Sequence, residues 1–181
     1  MPQKSTTEES VKKLSNDLPK KVLEERMRGN YQVENELLHK SSVITLPAVN
    51  KSLFKKRGKT HYYESFDELT SGFRHVKLPE MKVQTSTLGC KMNDFEIRDE
   101  LGGNDKLCFK SKVEALRALD SAMVNTNQDG KVTTVYFLNE QRKLCYANCF
   151  WTCLGNWWYF DAGRARDESS DVGDRVLYPA V

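Results

Sequence analysis

The chain has 181 residues, of which 29% are charged and 39% apolar, with 28 Lys/Arg against 25 Asp/Glu for a net charge of +3. This length fits one domain with an extension, or two very small domains. The mean hydropathy of −0.64, with no apolar run near the ~18 residues of a spanning helix, argues against a helical membrane span.

The charge is unevenly divided. Residues 1–60 carry 13 Lys/Arg and 7 Asp/Glu, whereas residues 61–181 carry 15 and 18. The first part is polar and poor in core residues, and the second holds nearly all the aromatic and cysteine content. This pattern predicts a basic N-terminal arm over 1–60, a transitional segment over 61–84 and a compact domain over 85–181. The five cysteines, Cys90, Cys108, Cys145, Cys149 and Cys153, are odd in number, and the first residues lack the apolar core of a signal peptide. Reduced thiols that pack as small hydrophobes, in a cytoplasmic setting, are therefore expected (host cytoplasm or virion if the chain is viral).

In chain order, Ser5 to Glu9 has capping-box spacing, and Val11, Leu14 and Leu18 recur at helical intervals. Asp17-Leu18-Pro19 is a second helix start, and Gly29 a stop. Val43-Ile44-Thr45-Leu46 reads as a short strand suited to an open sheet edge. Lys55, Lys56, Arg57 and Lys59 form the densest basic cluster, flanked by Phe54, Tyr62 and Tyr63. Cations suit phosphates and aromatic rings stack on bases, so Lys55, Lys56, Arg57, Lys59, Tyr62 and Tyr63 form a candidate nucleic-acid interface.

The C-terminal part carries sharper local signals. Ser111 with Glu114 is a capping box, and Val113, Leu116, Leu119, Ala122 and Met123 share one helical face, with Lys112, Arg117 and Asp120 off it. A helix over 111–124 follows. Residues 132–138 are β-branched and aromatic, as are 144–154 in part, and Gly155-Asn156 offers a two-residue turn into Trp157-Trp158-Tyr159-Phe160. Arg175 to Tyr178 is a last strand. The order predicts an α+β fold in which a small antiparallel meander packs against one helix.

Chemistry-bearing patterns are sparse. Cys145, Cys149 and Cys153 stand four apart, ~13 Å per step on a strand at ~3.3 Å per residue, so three sulfurs there do not meet at one metal. With Ala147 and Trp151 they share strand parity, which predicts a face packed beneath a helix. His39, His61 and His75 all precede the expected domain, so no Cys–His pair is apparent within it. Neither a phosphate-binding loop nor a dinucleotide fingerprint occurs. Asp161, Asp167, Glu168, Asp171 and Asp174 are interleaved with Arg164, Arg166 and Arg175, as in an ion-paired loop. No catalytic residue, metal ligand or cofactor is assigned.

Trp157, Trp158 and Tyr159 lie in the densest aromatic patch. Successive strand residues face opposite ways, so one Trp fills the core and the other is exposed, or covered by the arm, a loop of the same chain or a partner. The sequence thus points to a non-enzymatic interaction or assembly protein, with viral structural or host-takeover proteins as examples of the build. Its basic arm would dock on a protein complex or acidic partner, and Trp157, Trp158 and Tyr159 would supply contacts. Nucleic-acid binding through residues 54–63 is the alternative, and a small cysteine-dependent enzyme the third reading.

Overall fold

The computed structural model describes residues 37–54, 59–70, 75–125 and 129–180. The two helices expected before Gly29 lie outside the described residues, as do Lys55, Lys56 and Arg57. The described residues belong to one compact unit, Leu37–Val181.

Among the described residues there are twelve strands, β1 (Leu38–Leu46), β2 (Val49–Lys51), β3 (Lys59–Tyr62), β4 (Val76–Leu78), β5 (Met81–Leu88), β6 (Met92–Asn93), β7 (Cys108–Phe109), β8 (Thr133–Leu138), β9 (Leu144–Thr152), β10 (Trp157–Arg164), β11 (Ser169–Ser170) and β12 (Arg175–Pro179). The same residues form four helices, α1 (Glu64–Thr70), α2 (Asp94–Glu100), α3 (Asn104–Leu107) and α4 (Lys112–Asn125). The main sheet has eight strands in the order β1-β5-β12-β8-β9-β10-β3, with β7 paired to Tyr136 and Phe137 of β8, beyond the residues that β12 pairs.

The α+β class holds, but the sheet is larger than a meander and mixed. β8–β9–β10 is the antiparallel meander, in register from Thr133 opposite Cys149 and from Trp157 opposite Thr152. β12 runs parallel to β8, and β3 parallel to β10. One end of the sheet, β1, comes from the stretch assigned to an arm, and the other, β3, straddles its boundary with the transitional segment. β1, which contains Val43 to Leu46, pairs antiparallel with β5 of the same chain, with a bulge between Lys40 and Val43. The boundary expected at 85 therefore falls inside the sheet. The arm reading followed from low local hydrophobicity, but an edge strand needs few apolar residues of its own.

The basic surplus falls in residues 37–60. Residues 1–36 balance seven Lys/Arg with seven Asp/Glu, and residues 37–60 carry six Lys/Arg and no Asp/Glu.

α4 lies on one face of the sheet, here the inner face. The Glu114 N–H donates to Ser111 Oγ at 3.2 Å, as the capping signal predicts. Ala115, Leu116, Leu119 and Ala122 pack against Val135, Phe137, Ala147, Cys149, Phe160 and Leu177. The other side of α4 is not solvated. Arg117 and Asp120 are buried, at 3% and 4% exposure. Arg117 donates to the Pro79 carbonyl at 2.6 Å and to the Pro47 carbonyl. Asp120 accepts from Lys51 Nζ at 3.0 Å and from the Phe54 N–H at 2.9 Å. The β2–β4 ribbon and its flanks thus cover the back of the helix, and two charges that read as surface are anchors.

The outer face is covered by α2 and α3, whose Ile97, Leu101 and Leu107 pack with Leu88, Tyr136, Val176 and Tyr178. α2 starts with a full capping box. Asn93 Oδ1 accepts from the Phe95 and Glu96 N–H groups at 3.0 Å each, and Glu96 Oε2 accepts from the Asn93 N–H at 2.8 Å.

Leu116 has 0% exposure, so Leu116→Ala is expected to cost about 2–5 kcal/mol in urea unfolding, the range of buried Leu truncations. A loss under about 0.5 kcal/mol would contradict the packing of α4.

Candidate functional site

The meander places its aromatic residues by strand alternation. On β9, Cys145, Ala147, Cys149 and Trp151 face α4, and on β10 so do Trp158, Phe160 and Ala162. Trp158 is 5% exposed and meets Trp151 edge-on at 5.5 Å. It is therefore a core residue rather than a contact residue. Trp157 and Tyr159 fall on the outer face, half-buried.

That outer face reads off the register. The pairs Thr152/Trp157, Phe150/Tyr159, Asn148/Asp161 and Tyr146/Gly163 succeed one another along β9 and β10. Same-face pairs are two residues apart, so the four pairs span about 20 Å. The first end is aromatic. Phe150 stacks on Tyr159 at 5.2 Å with 8° between the rings, and Trp157 lies 6.2 Å from Tyr159 at 23°. Tyr63, just past β3 and 46% exposed, stands 6.1 Å from Tyr159. A Cβ at Gly155 would overlap the Trp157 indole, so this glycine makes room for the ring.

The second end is polar and tightly bonded. Asp161 Oδ2 accepts from Tyr146 Oη and from Arg166 Nη2, both at 2.9 Å, and Asp161 Oδ1 accepts from Ser65 Oγ at 3.0 Å. The Arg166 guanidinium lies over the Tyr146 ring at 4.6 Å and reaches Glu168 at 3.3 Å. Tyr146 can lie across β10 because position 163 is glycine, where a Cβ would stand 3.2 Å from the ring. Beside this network is a cavity of about 250 Å³ lined by Thr134, Asn148, Arg166, Ser169 and Ser170 among others.

Asp94 also lines this cavity. Its Oδ1 accepts from Tyr136 Oη at 2.5 Å, and its Oδ2 accepts from the Arg166 N–H at 2.7 Å. Burial pushes the Asp94 carboxyl above its ordinary value, against the lowering effect of these two hydrogen bonds and of the Arg166 charge. Burial and the Asp94 charge push the Tyr136 phenol well up, so it stays protonated as the donor. A carboxyl raised in the folded state contributes stability fully present below the unfolded value of ~3.9 and lost as pH rises through the folded value. The ionised form at neutral pH thus depends on its donors.

The acidic loop is ion-paired in part, as expected. Besides Arg166 with Asp161 and Glu168, Lys91 meets Asp171 at 3.0 Å, and Arg175 pairs with Asp129. Asp174, however, is buried, accepting from the Val132 N–H at 3.0 Å and the Asp171 N–H at 2.9 Å.

Of the three strand-parity cysteines, Cys145 and Cys149 lie on the face beneath α4. Cys153 does not, because β9 ends at Thr152 and the connection to β10 is the four-residue loop 153–156 rather than a two-residue turn. Asn156 there has φ of 57°, and its N–H donates to the Thr152 carbonyl at 3.0 Å. Burial pushes the Cys149 thiol far up and Cys108 up to about 11. Among the described residues, no group of three His, Cys, Asp or Glu side chains is placed to hold a metal. His39 and His75 are exposed, and His75 Nε2 bonds Asn50 at 2.8 Å.

The candidate nucleic-acid residues divide. Lys55, Lys56 and Arg57 lie outside the described residues. Lys59 and Tyr62 are the end residues of β3, in register with Trp157 and Phe160. Tyr63 joins the aromatic cluster. Phe150 went unassigned in the sequence, although strand parity with Tyr159 across the 153–156 loop could have found it. The polar end was not legible, since Asp94 and Arg166 are 72 residues apart. No helix among the described residues is long and apolar enough to cross a membrane. Compared with family models, curated proteins and solved structures, the chain matches none.

Tyr136→Phe removes one donor from a buried carboxylate, so a loss of about 1–3 kcal/mol is expected near neutral pH. The loss should shrink as the pH falls toward about 4 and Asp94 takes up its proton, as read by urea unfolding across that range. A pH-independent loss would mean that Asp94 does not change its protonation state over that range.

In a native thiol-labelling time course, Cys153 is expected to react first, being exposed, and Cys149 only on unfolding. Fast labelling of Cys149 would overturn its place in the core.

Proposed function

We propose that this protein is a non-enzymatic interaction module, and that the outer aromatic face of β9 and β10 is its contact surface. The observation that carries this reading is the placement of Phe150, Trp157 and Tyr159 side by side on the outer face of the sheet, with Tyr63 at its border. Aromatic side chains are the common anchors of binding interfaces, and outward strand positions of an antiparallel sheet are normally polar. The raised thiols of Cys108, Cys145 and Cys149 favour this reading over cysteine catalysis, because a nucleophile needs thiolate.

The partner in this reading is a protein or a larger assembly. The contact surface is part of the folded unit rather than a basic arm, since residues 1–36 carry no net charge. A second reading, binding of single-stranded nucleic acid, is favoured by one observation. Tyr63, which closes the basic-aromatic segment 54–63, lies 6.1 Å from Tyr159. Salt-dependent binding of a random oligonucleotide, lost with Tyr63→Ala, would support it.

The test compares three variants in affinity capture from the native host. Trp157→Ala and Tyr159→Ala are each expected to weaken partner retention by more than about 2 kcal/mol, the hot-spot scale, with little loss of stability. Trp158→Ala is expected to cost about 3–5 kcal/mol of folding stability instead. Equal retention by the Trp157 and Tyr159 variants would sink the interface.

A further inference from the structure

The sheet ends at β1, and the second half of that strand is an unprotected edge. On one side it pairs with β5, from Val43 opposite Gln84 to Leu46 opposite Met81. No described residue hydrogen-bonds to the other side of Val43–Leu46. A strand paired on one side only leaves main-chain N–H and C=O groups of alternate residues pointing outward. Such edges are ordinarily blunted by a charge, a proline or a bulge. Here the bulge falls between Lys40 and Val43, and Pro47 follows the strand. Val43-Ile44-Thr45-Leu46 lies between these two devices and contains neither, nor any charge. Its four residues span about 13 Å.

The side chains along this edge alternate. Ile44 and Leu46 pack on the inner face with the cluster around α4, so Val43 and Thr45 lie on the outer face, where both are exposed. Lys82 of β5 stands opposite Thr45 and shares that face. It is exposed and makes no ion pair with a described residue. A strand added beyond β1 would lie about 9.6 Å from β5, two strand spacings, a gap that a Lys and a Glu side chain span together across the small Thr45. The neighbouring charge has one sign. Residues 37–51 and 75–88, which build β1, β2, β4 and β5, carry Lys40, Lys51, Lys77 and Lys82 against Glu80 alone. Lys51 is already engaged by Asp120. A second copy of this edge would bring like charges together, whereas an acidic strand would meet Lys82.

From this open edge and the charge beside it we infer that β1 accepts an extended acidic segment of a partner protein as an added strand. The segment's main chain would bond to the outward groups of Val43–Leu46, which gives affinity without regard to sequence. Selectivity would come from alternation, with Asp or Glu on the outer face near Lys82 and aliphatic side chains on the inner face beside Ile44 and Leu46. β1 is five strands away from β10 in the sheet, so this surface is separate from the aromatic face and does not rest on it.

The test uses the full chain and a labelled octapeptide of alternating Glu and Val, with one of alternating Lys and Val as comparison, by fluorescence anisotropy at low salt. The Glu peptide is expected to bind and the Lys peptide to bind less. Lys82→Glu should weaken the Glu peptide by about threefold or more, the scale of an exposed charge pair turned to repulsion, and favour the Lys peptide. Circular dichroism verifies that the variant is folded, and Lys82→Gln replaces it should it unfold. Two N-methylated forms of the Glu peptide, one methylated at every Glu and one at every Val, separate strand addition from charge attraction. In an added strand only one of these sets of N–H groups faces β1, so one form should lose about tenfold or more and the other much less. Failure of the Glu peptide to bind, binding indifferent to both methylations, or binding indifferent to Lys82→Glu overturns the inference. A chain that sediments as a dimer, does not take up the peptide and becomes a monomer with Val43→Glu overturns it in favour of a second copy. Partner retention by the Trp157 and Tyr159 variants tests the aromatic face, so the two readings fail separately.

Discussion

The buried carboxylate of Asp94 decides which part of the outer sheet face is covered. It belongs to the first turn of α2, yet its two oxygens are spent on Tyr136 of the central strand β8 and on the backbone of Arg166 after β10. One ionisable group therefore ties the helical cover to the middle of the sheet and to the loop that follows the meander. A buried carboxylate without donors is costly, and with two short hydrogen bonds it specifies one arrangement. The strip from Asn148 to Trp157 continues past this tie along β9 and β10.

The inner face follows the same logic with the sign of the expectation reversed. Arg117 and Asp120 interrupt the apolar pattern of α4 and would suit a solvated flank. They instead bind main-chain groups of the β2–β4 ribbon and its flanks, at Pro47, Phe54 and Pro79. Loops with few apolar residues are thereby fixed over a helix by charge-assisted hydrogen bonds rather than by area. This device lets a chain with a modest apolar fraction build a sheet of eight strands with cover on both sides.

The legible parts of this fold were those in which neighbouring residues carry the signal. α4, β8, β9, β10 and β12 follow from capping, period and β-branched content within a dozen residues of each other. The illegible parts depend on distant partners. β1 is polar and bulged, and its place is set by β5, some forty residues on. α2 has an ideal capping box, but its seven residues are too few for a helical period to register. For the site, alternation predicted that Trp157 and Trp158 part company. It did not say which faces out, because that depends on a register pinned by Thr152 opposite Trp157 and by Phe160 in the core. The Asp161–Arg166–Glu168 network looked like a solvated loop because sequence spacing does not reveal that Tyr146 passes over Gly163 to receive the guanidinium.

The aromatic strip is hard to explain by folding alone. On a half-covered antiparallel strand the outward positions ordinarily go to polar side chains, and β10 places Trp157 and Tyr159 there while its inward Trp158, Phe160 and Ala162 already meet the needs of the core. Ring-on-ring stacking hides part of each surface from water, but it does not require aromatic residues at those positions. The rings are also fixed by their neighbours. Phe150 and Trp157 flank Tyr159, Gly155 accommodates the indole, and the polar end is fixed through Asp161 to Ser65, Tyr146 and Arg166. A surface whose side chains are ordered before a partner arrives loses less entropy on binding, and that gain is realised only if a partner exists.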